Sequence, residues 1–277
     1  VTSNHAEALP AVAISVSDSP DMAALGLSNG HLRDAVAEIA LHLLSAGVSL
    51  AYGGDLRQHG FTERLLELVE RYRNHPRHRG TITVTNYLAW PVHIRMNPHE
   101  LDAFVDEHKA VANLVFLARD GTRLEHRQRL DLPSHEPDED EWAEGLTAMR
   151  TVMRRETRAR VVVGGRVKGY QGAMPGIAEE ICLSLEACQP VFLLGGFGGC
   201  TRDIAETVGL ADRWAGSRGE WVGRNRFFRY SPNALHNGLS LDENTTLTPH
   251  IEEAIALMLR GLRRILNRSE ADAQGVR

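Results

Sequence analysis

The chain has 277 residues, 43% of them hydrophobic and 24% charged, with a net charge of −5. That balance suits one or two soluble domains and sets aside disorder, collagen and coiled coil as descriptions of the whole. A general polyanion binder carries a basic surplus that 31 basic against 36 acidic residues do not supply, and no apolar run nears the roughly 18 residues that span a bilayer.

Residues 1–10 read as an arm. Its start, Val1 to Glu7, lacks the basic and apolar segments of a secretory signal, so a cytoplasmic location is expected. Ala11 to Ser17 sets Val12, Ile14 and Val16 at strand spacing and ends in the polar turn Ser17-Asp18-Ser19-Pro20. Ser28 then caps a helix through Leu32, Ala35 or Val36, Ile39 and Leu43, which Gly47 stops. Val48 to Tyr52 is a second strand running into Gly53-Gly54, and Phe61 to Tyr72 a second helix.

Thr81 to Tyr87 and Val111 to Ala118 read as strands, with a short helix near Pro98 to Asp106 between them. Residues 119–141 are polar, and the run Glu136 to Glu141 is expected to be a solvated loop entering a helix that continues through Met153. Arg160 to Val163 and Pro190 to Leu194 are further strands, each followed by a helix, at Pro175 to Ala187 and about Thr201 to Val208. The last helix covers Pro249 to Leu266, and the tail 268–277 looks frayed. Alternating strands and helices at this pitch predict an α/β fold: a Rossmann-like open parallel sheet with helices on both faces, in a single domain over 11–267.

Cys182 and Cys188 are read on one helix, about 9 Å apart along its axis, too far to bridge. With Cys200 they are expected to be buried thiols. The histidines are scattered, as in the charged loop His75 to His78, and neither a metal nor a cofactor is expected.

Three strands end in glycine pairs, at Gly53-Gly54, Gly164-Gly165 and Gly195-Gly196. In an open parallel sheet, ligands bind beyond the carboxyl ends of the strands, where glycine lets a backbone approach a phosphate. Arg166 and Lys168 stand beside the second pair, and Arg202 follows Gly198-Gly199 near the third. Their charges suit a phosphate, although solvated loop charges would look the same. Tyr170 and Phe197 are candidate base platforms or ordinary packing. The dinucleotide fingerprint lacks its third glycine, and no P-loop or G-x-S-x-G elbow occurs.

These glycine loops resemble the SLOG superfamily, named for DNA-processing proteins and the lonely-guy phosphoribohydrolases. The counterparts are Ser17-Asp18-Ser19, Gly53-Gly54-Asp55-Leu56-Arg57-Gln58-His59-Gly60-Phe61-Thr62 and Met149-Arg150-Thr151-Val152-Met153. The last motif is spread over Gly164-Gly165-Arg166-Val167-Lys168-Gly169-Tyr170-Gln171-Gly172-Ala173-Met174-Pro175-Gly176-Ile177-Ala178-Glu179-Glu180. The whole likeness covers about residues 11–210. It is closer to the SLOG clusters without demonstrated chemistry, through Gly164 to Glu180, then Leu194-Gly195-Gly196-Phe197-Gly198-Gly199, and the tail Leu235 to Asn244.

The resemblance implies a site for a nucleotide or NAD-derived small molecule, read by a sensor. It further implies a homo-oligomer and a linked effector, TIR or another, in bacterial immunity. The alternative is an N-glycosidase acting on nucleoside 5'-monophosphates. There Glu180 would stabilise an oxocarbenium-like state and Arg150 would hold the phosphate, although Glu179 and Glu180 also suit a helix N-terminus for its dipole alone. The motif departs from the hydrolase pattern: an insertion separates Gly165 from Pro175, and Ile177 stands where the pattern has threonine. Arg150 also sits one residue short of the family offset from Met153. Single-strand nucleic-acid binding, as in the DNA-processing relatives, would need a basic groove that the net charge does not advertise.

Overall fold

The computed structural model describes residues 11–54, 60–74, 84–216, 218–244 and 250–275. Its chain order is β1 (Ala11–Ser17), α1 (Asn29–Ser45), β2 (Ser49–Gly53), α2 (Phe61–Asn74), β3 (Val84–Leu88), α3 (Trp90–His93), α4 (Pro98–His108) and β4 (Asn113–Leu117). Next come β5 (Arg123–Leu124), α5 (His126–Leu130), α6 (Glu139–Glu156), β6 (Ala159–Gly164), α7 (Gly176–Glu186), β7 (Val191–Leu194) and α8 (Gly199–Thr207). A 3-10 turn, Gly195–Phe197, separates β7 from α8, and two more 3-10 turns and α9 (Leu241–Asn244) lead to α10 (Ile251–Gly275).

The strands form one seven-stranded sheet in the order β5-β4-β3-β2-β1-β6-β7, parallel except for β5. The chain steps outward from β1 to β5 and then returns to the other side of β1, so the topological switch lies between β1 and β6. Alternation along the strands sorts the core. Val12, Ile14, Leu50, Tyr52, Val84, Val161 and Val163 pack on one side with α1, α2 and α10. Ala13, Ala51, Tyr87 and Val115 meet α6 on the other side, and Val162, Val191 and Leu193 meet α7 and α8 there. The expected Rossmann-like sheet with helices on both faces is the fold found.

Several boundaries and elements differ from the sequence reading. The polar stretch 119–141 contains β5, the one antiparallel strand, and α5, whose Arg129 is fully buried. Arg129 donates to His93 Nδ1 at 2.8 Å and to the carbonyls of His93 and Met96 at 2.6 and 3.0 Å. His93 Nε2 lies 2.9 Å from the Leu117 carbonyl. Burial, with the neighbouring arginine charge, holds the His93 imidazole down at about 4 against a bond to Leu117 that favours the proton.

The acidic run does enter a helix. Asp138 accepts from Glu141 N at 2.8 Å, while Glu141 accepts from Asp138 N, from Trp90 Nε1 at 2.8 Å and from His135. Those bonds to Trp90 and His135 hold the Glu141 carboxyl down at about 2. At the other end of the chain α10 runs on to Gly275, through most of the stretch read as frayed. α7 ends at Glu186, so Cys188 lies beyond the helix, exposed and with φ of 52°, and is not the buried helical thiol expected. Cys182 and Cys200 are buried and free, and burial pushes the Cys182 thiol up to about 11.

Candidate functional site

The carboxyl edge of the sheet collects the turn after β1 and the loops after β2, β6 and β7. At the switch between β1 and β6 the backbones touch. Gly165 N donates to Ser17 O at 3.0 Å, and Gly164, with φ of +70°, faces that same carbonyl with no room for a Cβ. A Cβ on Gly165 would stand 2.8 Å from Ile177 and 3.0 Å from Cys200. Gly199 presses on both: a Cβ there would lie 2.5 Å from Gly165 O and 2.8 Å from Gly164 C. Glycine at these positions lets three pieces of main chain pack against one another.

The start of α8 carries its own anion. Asp21, from the segment after β1, accepts from Gly199 N at 2.6 Å and forms a two-pronged ion pair with Arg218. Arg218 also stands 3.6 Å from Asp203, which is fully buried. Burial raises the Asp203 carboxyl above its usual range, and Arg218 works against that rise. Cys200 N is taken by Gly165 O at 2.8 Å. A carboxylate of the chain itself thus holds the place where a helix N-terminus would receive a phosphate.

Between α6 and α7 lies a buried charged network. Arg150 Nη1 is ion-paired to Glu179, whose other oxygen accepts from Thr147 Oγ1. Arg150 Nε stands 3.7 Å from Glu180 Oε1. The second Glu180 oxygen accepts from Arg160 Nη1 at 3.0 Å, and Arg160 also donates to Ser15 and Ser184 at 2.6 and 3.0 Å. Arg160 is fully buried; burial draws its guanidinium below the ordinary arginine range, Glu180 opposing that pull and Arg150 adding to it. Gly176 makes room for Arg150, since a Cβ there would stand 2.6 Å from Nη2, while Gly172 borders the guanidinium at ordinary contact distance. The two glutamates have different partners, and Glu179 rather than Glu180 is the one bonded to Arg150.

The β2 loop is built differently. Gly53 lies against the Met149 and Met153 thioethers of α6. Gly54 faces the opposite side, where a Cβ would clash with Asn86 Oδ1 and lie 2.7 Å from Thr62 Oγ1. Asn86 and Thr62 are 1% and 3% exposed, and neither side chain has a hydrogen-bond partner among the described residues.

The remaining candidates divide. Arg166 is half-exposed and 3.8 Å from Asp18, Lys168 is exposed, and Tyr170 is partly buried. Ser19 Oγ accepts from Asp21 N at 3.3 Å. Gly60 precedes α2, its carbonyl accepting from Arg64 N at 3.5 Å, and Pro175 caps α7. Phe197 is 2% exposed within the core, in the buried turn Gly195–Phe197, which removes it as a base platform. Arg202 turns along α8 to Glu206 and the Asp212 carbonyl, at 2.9 and 3.0 Å, and does not reach over the glycines. Asp55 and Arg57 lie outside the described residues.

A wide cleft of about 590 Å³ opens at the amino edge instead, lined by Arg154, Arg155, Arg158 and Gln189 among others. Cations at the end of α6 complement that helix's dipole, so the cleft has a structural explanation. Sequence reasoning passed over Asn86, Thr147, Arg160, Asp21 and Arg218. Asn86 and Arg160 left a local signal, a carboxamide inside the strand Val84-Thr85-Asn86-Tyr87-Leu88 and a guanidinium inside Ala159-Arg160-Val161-Val162-Val163-Gly164.

Among the described residues no helix is long and apolar enough to cross a membrane. A family model described as SLOG cluster2 matches residues 8–232. No curated protein matches the chain.

Proposed function

The chain belongs to the SLOG cluster2 family, and from that premise we propose that it binds a nucleotide or NAD-derived ligand at the carboxyl edge of the sheet, as a sensor that does not turn it over. The observation that supports binding without turnover is the state of the two carboxylates. Glu179 is closed between Arg150 and Thr147, and Glu180 is tied to a fully buried arginine. A carboxylate that stabilises an oxocarbenium-like centre needs a face open to the sugar. In this reading Arg166 and Lys168 are the exposed cations that meet the phosphate, beside the Ser17-Asp18-Ser19 turn. Occupancy is passed to a homo-oligomer contact or to a linked effector such as a TIR domain, in a bacterial immune setting.

A thermal-shift screen with AMP, ADP-ribose, NAD and cyclic ADP-ribose isomers, with product analysis of every hit, tests the proposal. A ligand at 100 times its Kd adds about 2.7 kcal/mol to the folded state. Stabilisation with intact ligand is the expected result. Released base would instead support the N-glycosidase reading, which the 3.7 Å approach of Arg150 to Glu180 favours. Glu180→Ala would then abolish release.

A further inference from the structure

We propose that Asn86 and Thr62 form the subsite that reads a planar donor–acceptor edge of the ligand, that of an adenine or of a carboxamide, beside Gly54. The inference rests on the nucleotide reading and assigns one end of that ligand to a place on the sheet.

Asn86 is on β3, facing the side of the sheet that α1 and α2 cover, and is 1% exposed. Its carboxamide nitrogen and oxygen both lack a partner, and so does the Thr62 hydroxyl in the first turn of α2. A buried donor or acceptor left unmet destabilises the fold, while an apolar side chain of the same size would carry no such cost. Other buried atoms without a partner, such as Arg150 Nε and Arg160 Nη2, belong to groups held by further bonds. In Asn86 the donor and the acceptor are unmet together.

The placement gives those atoms a purpose. A Cβ on Gly54 would clash with Asn86 Oδ1 and lie 2.7 Å from Thr62 Oγ1, so the two polar tips converge on one glycine at the carboxyl end of β2. A phosphate only accepts hydrogen bonds, and it would leave the Asn86 oxygen unmet. A carboxamide is complementary to a planar group with a donor next to an acceptor. Adenine offers its amino group beside a ring nitrogen, and nicotinamide offers its own carboxamide. The Thr62 hydroxyl rotates to donate or accept beside it.

The test uses AMP, which has the adenine edge without a carboxamide, and nicotinamide mononucleotide, which has the carboxamide without adenine. Calorimetric titration of the full chain compares wild type with Asn86→Leu and Thr62→Val, alongside the melting temperature of each unliganded protein. Asn86→Leu is expected to melt about 2–4 °C above wild type. It should bind whichever probe the wild type takes about 10- to 100-fold more weakly. Thr62→Val, a near-isosteric change, should weaken the same probe about 5-fold, and it tests the subsite even if Asn86→Leu fails to fold. Loss for AMP alone assigns the edge to adenine, and loss for the mononucleotide alone to a carboxamide. Unchanged affinity in both variants overturns the inference while leaving the nucleotide reading in place. So does a folded Asn86→Leu that melts below wild type. A wild type that binds neither probe overturns this inference, and one that binds none of ADP-ribose, NAD and the cyclic isomers either overturns the nucleotide reading with it.

Discussion

The glycine pairs after β2 and after β6 look alike as text, and the folded chain uses them in opposite ways. After β6, Gly164 and Gly165 are in contact with Ser17, Ile177, Cys200 and Gly199, and Asp21 fills the start of α8. That edge satisfies itself with backbone and with an internal carboxylate. After β2, Gly54 sits against an amide and a hydroxyl that nothing satisfies. Glycine therefore marks close approach, and only the polar groups around it tell a packed corner from a waiting one.

The comparison breaks most sharply at Gly199. Gly199→Ala places a Cβ 2.5 Å from a main-chain oxygen at φ of +69°, and strain and overpacking together are expected to remove about 4 kcal/mol in denaturant unfolding. A near-neutral result would mean that this corner is not closed by backbone contact. Arg218→Ala strips Asp21 and Asp203 of their counter-ion and should lose about 3 kcal/mol. In a double-mutant cycle with Asp21→Ala the losses should fall short of additive, because each single change already breaks the shared pair.

A third measurement gauges burial away from both edges. Above pH 6.5 His93 is neutral folded and unfolded, and its contribution is fully present. As pH falls from 6.5 towards about 4 the unfolded chain takes a proton that the folded imidazole beside Arg129 refuses. The expected loss is no more than about 3 kcal/mol across that window, and His93→Gln should flatten it. The smallest effect is of opposite sign. Asn86→Leu should gain about 1 kcal/mol in the free protein, because it removes an unmet amide. A loss there would make the β2 edge as self-sufficient as the β6 edge and erase the contrast.

The layering is legible in the sequence because apolar spacing is a local property. Leu32, Val36, Ile39 and Leu43 announce the face of α1, and all four are buried. β5 and α5 are not legible, since two strand residues and five helical ones hold too little period in a polar stretch, and Arg129 reads as a solvated charge until main-chain carbonyls surround it. The site is legible as an edge but not as an arrangement. Arg150 and the glutamate pair are found by motif, yet which glutamate bonds to it depends on the rotation of α7 against α6. The role of Asp21 depends on a residue 178 positions later, which no window along the chain contains.

That long reach has a consequence for how the molecule is made. Asp21 meets Arg218 across 197 positions, and at roughly 5–20 residues per second a ribosome takes on the order of 10–40 s to cross that gap. For that interval the turn after β1 has emerged without the partners that hold it. The packed corner is thus among the last parts of the protein to take shape, while β1, β2 and β3 can pair as they emerge. A nascent chain stalled before Arg218 would carry the β2 edge and lack the finished β6 edge.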